Sequence, residues 1–126
     1  MQDIATYWRI KLLHILQEVG SICKTRNHLM IMRITWGKLR AGSWQEYEQA
    51  YRATVAGKEV PGLQGRWLAQ DVNDSDGGFA VSVWESLDAM HAYEQSAVFK
   101  QEIQPKLQPF FVGDYTTYRC DVKYEQ

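Results

Sequence analysis

The chain has 126 residues, enough for one domain with its own core. Its 14 Lys and Arg against 15 Asp and Glu leave a net charge of −1, which excludes a nucleic-acid binder that relies on bulk positive charge and gives an anionic membrane nothing to attract. An apolar share of 45% and a charged share of 23% exclude a disordered chain, while the 13% aromatic share is high for so small a protein.

Residues 3–19 read as an amphipathic helix. Ile4, Trp8, Leu12, Ile15 and Val19 recur at helical spacing and Gly20 offers a stop. The apolar run Leu12–Leu16 meets Gln17 and Glu18, too short for a signal peptide or a membrane span, so a soluble cytoplasmic protein is expected. Polar residues 23–28 form a linker, which makes residues 1–28 an extension and residues 29–126 the main domain. Cys23 and Cys120 have no C-x-x-C spacing and read as reduced, buried thiols rather than zinc ligands.

Leu29–Trp36 is a strand, with Met30, Met32, Ile34 and Trp36 on one face and Leu29, Ile31, Arg33 and Thr35 on the other. Ser43–Ala56 is a helix opened by a Ser43–Glu46 capping box, striped by Trp44, Tyr47, Tyr51 and Val55, and closed by Gly57. Leu63–Val72 and Phe79–Glu85 are strands joined by a hairpin loop whose Asp71, Asn73, Asp74 and Asp76 serve the turn; a metal site there would lack the distal Glu of a calcium loop. Ser86 caps a helix bearing Leu87, Met90 and Tyr93, Ser96 interrupts it and caps a further turn through Val98, Phe99 and Ile103, and Pro105 and Pro109 limit that stretch. Tyr115–Tyr124 is the last strand.

The order β-α-β-β-α-β specifies an α+β, ferredoxin-like antiparallel sheet with helices on one face. Two helices leave the other face, with Ile31, Val81 and Val83, in water. A patch of that size calls for a homodimer that stacks sheet on sheet.

Three stretches carry a family resemblance: Val60–Leu68 (VPGLQGRWL) as a turn into the second strand, Val83–Ser86 (VWES) as a W-x-S junction, and Met90–Phe99 (MHAYEQSAVF) as an M-x-x-Y-x-x-S-x-x-F run. In this order and spacing, residues 30–126 resemble the antibiotic biosynthesis monooxygenase-like family of dimeric α+β barrels. The resemblance implies a dimeric barrel and admits cofactor-free monooxygenases of aromatic substrates, haem-degrading enzymes and quinone monooxygenases. The haem-degrading branch carries an Asn near Met32 and a His ligand near Ile103, so both positions depart from it here. The third-strand Trp is present as Trp84.

The candidate chemistry is limited. Trp84 ends a strand and would either wall a flat pocket or fill the core. His91 is the one His in a motif-bearing element, either a general base or an exposed helix flank. Arg33 and Arg66 lie mid-strand, where an inward guanidinium could stabilise an enolate or superoxide and an outward one would pair at the dimer face or meet solvent. Met32, Trp36, Tyr47, Tyr51, Trp84 and Phe99 would line a cavity for a small hydrophobic or aromatic molecule if the first helix covers the Met32–Trp36 face. No nucleotide, flavin or serine-hydrolase motif is present, and no cofactor or metal is expected. The expected function is a cofactor-independent monooxygenase acting on a small aromatic or quinol-type molecule, with His91, Trp84 and Arg66 as catalytic candidates. The alternative is a non-catalytic dimeric barrel that binds a small hydrophobic ligand or serves a structural or stress role.

Overall fold

Alternation of β-branched and aromatic residues sets the strands, and the polar and glycine-rich stretches between them set the turns. The computed structural model describes residues 30–126; the helix read over residues 3–19 and the linker over residues 23–28, with Cys23, lie outside the described residues. The elements are β1 (Ile31–Lys38), α1 (Trp44–Val55), β2 (Leu63–Gln70), β3 (Gly77–Trp84), α2 (Leu87–Glu94), a π-helical turn (Val98–Ile103), α3 (Gln104–Leu107), a 3-10 turn (Gln108–Phe110) and β4 (Thr116–Asp121). The sheet order is β2-β3-β1-β4, antiparallel throughout. This is the ferredoxin-like α+β fold.

Two of the three serine caps form as read. Ser86 Oγ accepts from Ala89 N–H at 3.0 Å, and Ser96 Oγ accepts from Phe99 N–H at 3.2 Å where α2 gives way to the π turn. The Ser43–Glu46 box does not form. Ser43 sits at φ −100, ψ 7, and its hydroxyl turns back to donate to the Arg40 carbonyl at 2.6 Å. Gly57, at φ +69, follows the end of α1 as expected. Gly62 has φ +82 and lies against Ala89 and Glu85 of the junction into α2, so a side chain there would be both strained and obstructed.

The register settles which face each strand residue takes, because directly paired residues point the same way. Ile31 pairs with Trp84, Arg33 with Ser82 and Thr35 with Ala80. Ile31, Thr35 and Trp84 are buried with Tyr47, Met90, Tyr93, Ile103 and Leu107 under the helices. Met32 and Trp36, expected beneath α1, therefore lie on the opposite face, and Ile31, expected there, lies beneath the helices. Val81 and Val83 do take the opposite face, joined by Ile34 and Phe79 of the same register rows. The polar residues of β1 decided the pleat: Arg33 and Thr35 find partners inside, which alternation alone does not reveal.

The hairpin acids serve the turn. Asp71 and Asp74 accept from backbone N–H groups of Asn73 and Asp76, Asp76 accepts from Gly42 N–H, and Asp74 pairs with Lys38 at 2.9 Å. Cys120 is exposed rather than buried, because it lies on β4 at the sheet's edge.

Candidate functional site

A pocket of about 100 Å³ lies between the helix-facing side of the sheet and the helices. Its floor is one register row. Arg66 of β2 and Arg33 of β1 flank Ser82 of β3 from either side, and Arg119 of β4 continues the row. Its walls are aromatic: Trp84, Tyr93 and Phe99 on one side, Tyr47 and Tyr51 of α1 on the other. Tyr93 lies 4.8 Å from Trp84 and 5.0 Å from Phe99 between ring centroids. The volume is below the roughly 300–1,000 Å³ of drug-sized sites and near the ~150 Å³ cavity that accepts benzene, so one ring is the natural load.

The two pocket arginines differ in commitment. Arg33 Nε donates to Glu94 Oε2 at 2.8 Å, and its guanidinium lies 5.3 Å from the Phe99 ring centroid. Glu94 also receives Arg119, at 2.5 Å from Nη2. Burial would raise the Glu94 carboxyl, but the hydrogen bonds from Arg119 and Arg33 outweigh it and hold the group below the usual carboxylate range. Arg66 has no carboxylate partner among the described residues; its guanidinium sits 5.8 Å from the Tyr93 ring centroid.

Burial pushes the Tyr51 and Tyr93 hydroxyls up, with the charge of Arg66 working against it, and burial raises Tyr47 strongly. All three stay neutral near pH 7 and can donate hydrogen bonds to a ligand.

Of the residues singled out in the sequence, the structure brings Arg33, Arg66, Trp84, Tyr47, Tyr51 and Phe99 to this pocket. Met32 and Trp36 are absent from its lining because their pleat points away. His91 is exposed and also absent. The buried residues of α2 are Met90 and Tyr93, so Leu87, at 42% exposure, and His91 one turn later take the solvent side. Trp84 is fully buried, and its indole N–H is committed to Ser82 Oγ at 2.9 Å, which makes it a wall rather than a donor to ligand. Sequence reasoning missed Tyr93, Gln104 and Tyr115. Tyr93 had a signal, lying three residues after Met90 on the same helical face, and the other two form a pair, Gln104 Nε2 to Tyr115 Oη at 3.0 Å, that no spacing announces.

The sequence profile of the family described as antibiotic biosynthesis monooxygenase matches residues 30–104, more than half of the chain. The chain belongs to the antibiotic biosynthesis monooxygenase family. None of the curated proteins matches it. Among solved structures, a conserved protein from Methanosarcina mazei Go1 is similar with TM-score 0.68 and 15% identity, over 79% of this chain and 99% of that one. A protein named as a candidate antibiotic biosynthesis monooxygenase from Caulobacter crescentus CB15 is similar with TM-score 0.67 and 16% identity, over 77% and 92%. Another so named, from Bordetella bronchiseptica, gives TM-score 0.62 and 22% identity, over 75% and 98%. At these identities the likeness is one of fold. Ile103 lines the pocket and offers no ligand atom, and Met32 faces the other way. No described helix is long and apolar enough to cross a membrane.

Proposed function

We propose that the protein is a cofactor-independent monooxygenase for a small phenol or quinol held against Arg66. The observation that carries this reading is Arg66 itself, a guanidinium without a carboxylate partner among the described residues, set in an aromatic pocket with neutral tyrosine hydroxyls around it. Such a site favours the anionic form of a bound phenol. The phenolate then gives one electron to O2, leaving a ring radical and superoxide. The two combine at a ring carbon bearing hydrogen, protonation gives a hydroperoxide, and loss of water leaves the carbonyl of a quinone. One ring C–H, one phenolic O–H and one O2 become two C=O groups and one water, with the substrate as sole reductant.

Among the described residues the pocket lining includes neither His nor a carboxylate, so in this reading the phenol's proton passes to water and the rate rises with pH toward the lowered phenol pKa. Oxygen uptake with a panel of phenols and quinols tests the reading. Uptake that falls about 100-fold in Arg66→Gln supports it. No uptake from the unaltered protein refutes it and leaves the alternative, a barrel that binds a small hydrophobic molecule without turnover.

We infer further that the sheet face bearing Val81 and Val83 seats a second copy of the chain, and that residues 1–28 are an appended segment, since the family profile begins at residue 30. Trp67 and Tyr118 lie on that same face by register, and each is more than half exposed. Light scattering tests the first inference, and deletion of residues 1–28 followed by a melting temperature tests the second.

A further inference from the structure

Two guanidiniums, Arg33 and Arg66, line the pocket, more charge than a neutral ring needs. Three guanidiniums, from Arg119, Arg33 and Arg66, cross the sheet in one register row, interrupted by Ser82 alone. One carboxylate, Glu94, answers two of them, and among the described residues no acid lines the pocket. Arg66 also borders a neighbouring groove, but the carboxylate there, Glu48, is engaged by Arg52 at 2.9 Å. Among the described residues the neighbours of Arg66 are the neutral hydroxyls of Tyr51 and Tyr93, and a guanidinium partly removed from water without an anion beside it is costly unless something supplies one.

We propose that the pocket's ligand carries a permanent anionic group: it is a single aromatic ring bearing a carboxylate, which docks on Arg66. The inference rests on the proposed function, in which the pocket binds a ring, and it narrows the substrate class from phenols in general to hydroxylated aromatic acids. The planar fork of Arg66 can donate two parallel N–H bonds to a carboxylate, which neither a hydroxyl nor an amide can match as acceptor. Tyr51 and Tyr93 stand beside it as neutral O–H groups able to donate to the same anion. Arg33 is held back by Glu94 and Phe99, so it sustains the positive field while Arg66 makes the contact. The ring then lies along Trp84, Tyr93 and Phe99, and a benzoate-sized molecule matches the cavity.

Isothermal titration calorimetry of the full chain with four probes decides the matter: benzoate, 4-hydroxybenzoate and their two primary amides, which keep the ring and the shape but lose the charge. The acids are expected to bind at least about tenfold more tightly than the amides. Arg66→Gln is expected to abolish that preference and Arg66→Lys to keep part of it. Equal affinity for acid and amide, a preference that survives Arg66→Gln in a variant with an unchanged melting curve, or no binding of any probe at about 10 mM would each overturn the proposal. If Arg66→Gln fails to fold, the acid-against-amide comparison on the unaltered protein stands by itself. Oxygen uptake on the same four probes separates this proposal from the monooxygenase reading. Tight acid binding without oxygen uptake sinks the chemistry and keeps the anion site. Oxidation of the hydroxybenzamide as fast as of the hydroxybenzoate keeps the chemistry and sinks the anion site.

Discussion

Under the helices the sheet carries Arg33, Thr35, Ser82 and Arg66 in its middle, ringed by aromatic side chains; on the opposite face the middle is Ile34, Val81 and Trp36. The covered side is thus the polar one. Hydrophobic burial by itself would put the two sets the other way round. Each of these inward polar groups has a partner or a pocket: Arg33 meets Glu94, Thr35 meets Thr117 at 2.9 Å, Ser82 holds the Trp84 indole, and Arg66 faces the cavity. The contrast teaches that the helix-covered face gives its polar groups partners and a pocket, whereas the apolar face is the one on which we propose that a second copy seats.

Substitutions on the two faces can break or sharpen that contrast. The largest effect is expected on the covered side, at Trp84. Trp84→Ala removes a fully buried ring and is expected to cost about 3–5 kcal/mol in urea unfolding; a loss under about 1 kcal/mol would mean that the core lies elsewhere.

Glu94→Gln comes next. It leaves Arg33 and Arg119 without their shared carboxylate and is expected to cost about 2 kcal/mol, less than a fully buried pair because Arg119 is partly exposed. Its pH dependence has a definite sign. The folded carboxyl lies below its unfolded value, so its contribution is fully present above the unfolded pKa of about 4.3 and is lost as pH falls through the folded pKa. The unaltered protein should therefore lose stability on acidification in that window more steeply than Glu94→Gln, as chemical denaturation at several acidic pH values would record.

On the apolar face, Val81→Glu is expected to change fold stability by no more than about 1 kcal/mol and to reduce the particle mass in light scattering from dimer to monomer. A variant that remains dimeric would show that copies meet through some other surface. The smallest effect belongs to His91→Ala, whose oxygen uptake should stay within about twofold of the unaltered protein, since the imidazole is exposed and outside the pocket lining. A drop of about 100-fold would restore His91 as a base.

The element order was legible because local chemistry writes it: Gly57 and Gly62 stop and turn the chain, and Ser86 and Ser96 cap the two helical stretches after β3. The Ser43 cap was misread because the Arg40–Gly42 turn redirects its hydroxyl, a geometry that a four-residue pattern does not encode. The face of β1 was misread for a longer-range reason. Both its faces carry apolar residues, and the residue that anchors Arg33 inward, Glu94, is 61 positions away on another element. The pocket lining was legible in the same measure: Arg66, Trp84, Tyr47, Tyr51 and Phe99 line it from a strand middle, a strand end and two helical stretches, whereas Met32 and Trp36 fell with the pleat.

The bond from the Trp84 indole to Ser82 has an optical consequence. An indole that is fully buried and tied to a fixed hydroxyl emits at shorter wavelength than one in water, such as Trp67 on the far face, and it does so from the wall of the pocket. With the remaining tryptophans replaced by phenylalanine, the emission of Trp84 would report the arrival of a ring in the cavity without any added label.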